Sequence, residues 1–147
     1  MTERKEMTRP DIAGRCAELM LAADQASSGL GIQVVVTEAG AAEATMEVTV
    51  NMLNGHGVCH GGFVFALADT AFAFACNGYD DITLAAAATV EFLRPANAGD
   101  CLRAVARERR RGRTSGIYDV EVSNQQDKCV ALFRGRSHSS GQPMLAV

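Results

Sequence analysis

Two periodicities organise the first fifty residues. In DIAGRCAELMLAADQASS, Ile12, Cys16, Leu19, Met20 and Ala23 fall on one side at helical spacing. This predicts an amphipathic helix from Asp11 to the Ser28-Gly29 stop. Thr8 is placed to cap it, with Pro10 in its first turn. IQVVVTEAG and AEATMEVTV then read as a hairpin turning at Gly40. Its second run puts Ala44, Met46, Val48 and Val50 on one face and Thr45, Glu47 and Thr49 on the other. Beyond it the alternation disappears. FVFALADTAFAFAC is apolar on nearly every side and free of Gly and Pro, the pattern of a buried helix. From Gly61 to Asn77 it would run ~25 Å, and Gly78 terminates it. In ITLAAAATVEFLRP, Leu84–Ala88 has helical propensity while Thr89–Leu93 reads as strand, so the first half stays ambiguous. CLRAVARERRR, TSGIYDVEVSN and CVALFRGRSH are strands joined by turns at Gly112-Arg113 and Gln125-Gln126-Asp127. Such a run of late strands implies an antiparallel meander.

The order is helix, two strands, buried helix, four strands, which is an α+β layer arrangement. A curved antiparallel sheet wrapped around a long central helix, the hotdog architecture, fits it, with the first helix outside. At 147 residues a single domain over 1–147 is expected, with 1–10 and 139–147 flexible. The net charge of −3 argues against nucleic acid as a partner, because phosphate neutralisation needs a basic face. No apolar window of spanning length exists, so no membrane partner is expected. Five cysteines without repeated spacing, behind a charged N-terminus, point to reduced thiols and a cytoplasmic location.

The chemistry concentrates in NGHGVCHGG and the helix after it. Gly61-Gly62 opens that helix, where the first backbone N–H groups lack intrahelical partners and carry partial positive charge. Such a terminus can hold an oxyanion, and glycine admits a close approach; a plain flexible turn is the alternative. Asp69 is the one charge in the apolar run. A buried carboxylate is partnered, neutralised or kept for use. Gly61 and Asp69 are ~12 Å apart along one axis, whereas a reacting carbonyl needs its base and its oxyanion donor each at roughly 3 Å. If both act, they belong to different chains. The spacing therefore predicts a symmetric dimer with two composite sites.

The run MLNGHGVCHGGFVFALADTAFAFACN, followed by EFLRP, AGD, GIYDVEV, NQQ and VALFRGRSH, resembles the PaaI-type phenylacetyl-CoA thioesterases of the hotdog-fold superfamily. The likeness runs from about Gly29 to His138 and centres on N-G-x-x-x-x-H-G-G-x-x-x-x-L-A-D-T-A. It implies that Asp69 is the catalytic carboxylate and that the Gly61 amide polarises the thioester carbonyl. It implies that Asn54 and His60 orient substrate, carboxylate or water, and that Thr70 stands beside the acid. It also implies a homodimer paired into a homotetramer and a place in phenylacetate degradation. The expected substrate is phenylacetyl-CoA or a ring-hydroxylated relative. Coenzyme A belongs to that substrate, and no separate cofactor or metal is expected. Asp69 would either deprotonate water or attack the carbonyl itself.

RERRRGR holds five of the fourteen basic residues. A solvated hairpin tip is one reading. An anchor for coenzyme A phosphates is the other, with Arg109, Arg111 and Arg113 as candidates, Arg94 beside Pro95, and Gly62 at the loop. The alternatives carried forward are a non-catalytic acyl-CoA binding protein and a thioesterase for medium-chain aliphatic acyl-CoA. A thiol hydrolase using Cys59 with His56 or His60, a metal site at His56, Cys59 and His60, and a hydratase are less well supported. The hydratase would need a His soon after Asp69, and TAFAFACN has none.

Overall fold

The computed structural model describes residues 6–145. The expected flexibility of the extreme ends falls partly on 1–5 and 146–147, which lie outside the described residues. Helix α1 (Arg9–Ala23) starts at Thr8 with a reciprocal capping box: Thr8 Oγ1 accepts from Asp11 N, and the Asp11 carboxylate accepts from Thr8 N. The helix does not reach Gly29 unbroken. Asp24 interrupts it and caps a second, short helix α2 (Gln25–Gly29), accepting from Ser27 N at 2.9 Å and Ser27 Oγ at 2.7 Å. A carboxylate that bonds nearby backbone offers the chain a new helix start, and here that wins over continuation.

Strands β1 (Gln33–Glu38) and β2 (Ala41–Glu47) form the expected hairpin. The ladder with the next paired strand ends at Glu47, so the alternation stops there too. Val48 is still buried. Val50, expected inward, begins a 3₁₀ turn (Val50–Met52) and is 75% exposed. After a loop, helix α3 (Gly61–Cys76) runs across the concave side of the sheet. Strands β3 (Thr83–Phe92), β4 (Cys101–Arg111), β5 (Ser115–Ser123) and β6 (Cys129–Ser139) complete it. The Ala-rich start of β3 is strand, because its ladder to β6 overrides helical propensity.

The sheet order is β1-β2-β4-β5-β6-β3, antiparallel throughout. The meander is therefore β4-β5-β6 only. β3 pairs with β6 at the far edge, and residues 93–100 carry the chain back across the start of α3 to β4. The crossing is held by Cys59 N donating to Ala96 O and Gly99 N donating to Val48 O, both 2.8 Å. β3 is left with one free edge, flanked by the exposed Leu84 and Phe92.

The core packs Leu67, Ala68, Ala71, Phe72 and Ala75 of α3 on Leu102, Ala104, Ala106, Tyr118, Val120 and Phe133. Small residues on β4 let the helix come close to the sheet. Gly135 does the same for Phe72, since a β-carbon there would stand 2.8 Å from the ring. α3 is not buried all round, however. Gly62, Ala66, Asp69 and Ala73 form a partly open stripe at helical spacing, with Phe65 beside it. The C-terminal segment is tied down as far as it is described. Asp80 Oδ1 accepts from Met144 N and Leu145 N, Asp81 Oδ1 from Gly141 N, and Leu145 is buried.

Candidate active site

Asn54 builds the loop before α3. Its Oδ1 accepts from His56 N at 2.9 Å and Val58 N at 3.4 Å, and its backbone N–H donates to Val58 O at 2.8 Å. His60 then caps the helix. Its Nδ1 accepts from Gly62 N at 2.9 Å, so its ring proton resides on Nε2 and points outward on an exposed side chain. Two consequences follow for the helix mouth. Gly62 N–H is engaged by His60, while Gly61 N–H has no acceptor among the described residues. Gly61 also lines an apolar cleft of about 360 Å³ with Val58, Val64, Phe92, Arg94 and Val130. A free donor at a helix N-terminus, on a residue that lines an apolar space, is suited to a developing oxyanion.

Asp69 lies two turns along α3 and does not line that cleft. It is half-buried, and desolvation alone pushes its pKa above the usual carboxylate range; it has no hydrogen-bond or ion-pair partner among the described residues. Thr70 is differently placed. Its hydroxyl donates to Ala66 O at 2.7 Å, and Ser27 Oγ, bonded to Asp24, lies 3.3 Å away. The proton of Thr70 is thus used within the helix, next to the α2 contact.

The raised pKa of Asp69 has a sign that can be tested. The folded chain binds that proton more tightly than the unfolded chain, whose value is near 3.8. Stability therefore falls as pH rises from the unfolded value through the folded one, and the penalty persists above it. Asp69→Asn is expected to melt at a higher temperature than wild type at pH 7. The gap should close as the pH drops below the ordinary carboxylate range. A melting temperature equal to or below wild type at pH 7 would contradict this.

The cationic hairpin is less uniform than its sequence. A bulge between Glu108 and Arg110 splits the run between the two faces. Glu108 turns inward and accepts from Tyr79 Oη at 2.8 Å and Tyr118 Oη at 2.9 Å; burial and this carboxylate push Tyr79 up to about 12. Arg109 lies over the outer face, 3.5 Å from Asp119. Arg111 stacks 3.8 Å from the Tyr79 ring centroid. Arg113 is exposed at the tip. Arg111 and Arg113 stand at the Thr83 end of the sheet, since Ser115 and Leu84 both pair with His138, and Arg109 is level with Ala87 and Ala88 at its middle, whereas Arg94 borders the Gly61 cleft at the Phe92 end. The structure thus brings Gly61, Gly62, His60 and Asn54 together, with Arg94 near them. It leaves Asp69, Thr70 and the hairpin arginines apart from that group within one chain.

Cys59 is buried, its thiol donates to His60 O at 3.6 Å, and burial raises its pKa, so the thiolate needed for attack is disfavoured. Among the described residues no group of three His, Cys, Asp or Glu side chains is placed to hold a metal. No helix among them is long and apolar enough to cross a membrane. The sequence reading missed Phe92, whose ring covers Gly61. Its parity with the core-facing Val90 was the available signal.

The Thioesterase superfamily model matches residues 56–131, which include the loop from His56 onward, α3 and strands β3, β4 and β5. Acyl-coenzyme A thioesterase PaaI of Escherichia coli (strain K12) is 51% identical over 125 residues, covering 85% of this chain and 89% of that protein. A structure of the E. coli PaaI protein from the phenylacetic acid degradation operon superposes with a TM-score of 0.90 at 48% identity, covering 92% of this chain and 99% of that one. A Streptococcus mutans UA159 protein bound to acetyl CoA superposes with a TM-score of 0.73 at 28% identity, covering 76% and 90%. By sequence and by fold, this chain belongs to the thioesterase superfamily, with the hotdog arrangement of one helix held in a curved sheet.

Proposed function

We propose that the protein hydrolyses phenylacetyl-CoA, or a ring-hydroxylated relative, to the free acid and coenzyme A at sites completed by two copies of the chain. The observation that carries this is the separation of two unpartnered groups on one rigid element. Gly61, whose N–H has no acceptor among the described residues, lines a cleft, and the Asp69 carboxylate stands ~12 Å further along the same helix. The E. coli relative, similar over most of both chains, is an acyl-coenzyme A thioesterase. The related structure from the phenylacetic acid degradation operon favours the aryl substrate, and the S. mutans relative binds acetyl CoA.

In this reading the thioester oxygen accepts from Gly61 N–H of one copy, and Asp69 of the other copy takes a proton from water. The hydroxide adds to the carbonyl carbon, the C–S bond breaks, and the proton passes to the departing thiolate. If Asp69 attacks instead, an anhydride forms first. The thiolate leaves as it forms, and water that opens the anhydride at Asp69 Cγ labels the enzyme carboxylate and not the product in a single turnover in ¹⁸O water. His60 Nε2–H and the Asn54 side-chain amide are the loop donors available to water or substrate. Arg94 is the nearest cation for coenzyme A phosphates. Arg113, and Arg111 beside it, would approach from the partner, because antiparallel pairing of two β3 edges brings one copy's Thr83 end to the other's Phe92 end.

The free edge of β3 and the open stripe of α3 are the surfaces proposed for the dimer. Pairing of dimers into a tetramer is proposed through the outer sheet face, where Arg107 and Arg134 lie among Glu91, Asp119 and Glu121. A cytoplasmic location is proposed on the five cysteines, all free. The test is release of free thiol from a panel of aryl and alkyl CoA esters. If none is cleaved while the esters still bind, the protein is a carrier and not a hydrolase. A variant tests the composite site: Ala66→Arg puts a charge on the α3 stripe and is expected to give a monomer in sedimentation, with thiol release falling about 10²-fold or more. A fully active monomer would defeat the two-copy site.

A further inference from the structure

We propose that Phe92 selects the acyl group, offering an aromatic acyl chain a ring-to-ring contact that an alkyl chain of similar bulk lacks. The inference rests on the thioesterase reading above and adds the residue that decides which thioester is preferred. Phe92 ends β3 and shares inward parity with Val90. Its ring points edge-first at Gly61. A β-carbon on Gly61 would stand 3.0 Å from Phe92 Cζ, 3.3 Å from Cε1 and 3.5 Å from Cε2. The edge is therefore occupied by the helix start, and the faces are what remain for a ligand. The ring is a wall of the cleft that holds the Gly61 amide, yet the residue is 54% exposed.

The other aromatic side chains around α3 are differently engaged. Phe65 packs on Phe133 at 5.4 Å between centroids, Phe72 packs on Tyr118 and Phe133, and Phe63 meets the His60 ring at 6.2 Å. Phe74 is buried in the core. Among the described residues Phe92 is the phenylalanine that is exposed and has no aromatic partner. It is also the one touching the group that would hold the carbonyl oxygen. With that oxygen on Gly61 N–H, the ring of a phenylacetyl group is one methylene from the carbonyl carbon. It falls within reach of Phe92 at the roughly 4.5–7 Å separation where aromatic pairs attract.

The experiment compares kcat/KM for phenylacetyl-CoA and hexanoyl-CoA in wild type, Phe92→Leu, Phe92→Met and Phe92→Tyr. An aromatic pair contributes enough to shift a ratio about 3- to 10-fold. The aryl-to-alkyl ratio should fall by that factor in the Leu and Met variants, and Phe92→Tyr should keep the wild-type ratio. Two aliphatic variants guard against one failing to fold, and thermal melts identify such a failure. If both substrates lose rate equally, the ratio is unchanged and selection by Phe92 is overturned; its ring then only holds Gly61 or the pantetheine arm. If wild type cleaves neither ester, the thioesterase reading falls and this proposal falls with it, an outcome separate from an unchanged ratio.

Discussion

Asp69→Asn is expected to lower kcat/KM for phenylacetyl-CoA by about 10²- to 10⁴-fold, the range a positioned proton acceptor contributes. The substitution keeps the shape of the side chain and removes only its basicity. KM should change far less than kcat, because the amide keeps the size and shape of the side chain while the lost proton transfer belongs to the transition state. The half-buried setting adds a pH signature. Desolvation pushes the Asp69 pKa above the ordinary carboxylate range, so the acid limb of kcat/KM should lie above the value of an exposed aspartate. Stopped assays of thiol release across pH would show both. A variant within about threefold of wild type would remove Asp69 from the chemistry, since such a loss is far below a general-base contribution.

Gly61→Pro carries the second large effect. Proline removes the one N–H proposed to hold the oxyanion, and it does so at a position whose backbone conformation accepts it. Gly61 is the first residue of α3, where proline fits, and His60 before it has φ −59° and ψ 132°, the extended form that a following proline requires. Loss of one oxyanion donor costs about 10²–10³ in kcat. Gly61→Ala is the control, because it keeps the N–H and adds only the β-carbon that displaces the Phe92 ring. If proline and alanine lose equal rate, steric disturbance is the cause and the donor role is refuted. Mixing the two dead chains is decisive for the arrangement. With random pairing, roughly half the dimers combine one Asp69→Asn copy with one Gly61→Pro copy, and each such dimer retains one intact composite site. About a quarter of wild-type turnover should return. A site contained within one chain returns none.

What the sequence disclosed depended on how local the physics was. The cap at Thr8, the hairpin at Gly40 and the apolar helix after Gly61 are each set by residues within a few positions, and all three form where they were read, although one stripe of the helix is partly open. The position of β3 was not legible, because which strand pairs with which is decided across the whole chain and no local pattern encodes it. The same holds for RERRRGR. Glu108 continues the inward alternation of Leu102, Ala104 and Ala106 and meets the two tyrosines, and the single bulge after it sends Arg109 and Arg111 to opposite sides; an alternating pattern has no mark for an inserted residue. Asp69 stood out as the one charge in an apolar run. That Asp24 would break the first helix was present in the sequence but competed with a continuous amphipathic pattern.

The far-edge position of β3 also bears on how the chain is made. Its ladder within the chain is to β6, the last strand to leave the ribosome, so a nascent β3 waits through the synthesis of β4 and β5 with neither side paired. Between Thr83 and Phe92 it carries one charge, Glu91, and no proline to deter a stray strand. Translation that stops short of Cys129 would therefore release a product prone to clump, however well its other elements have formed.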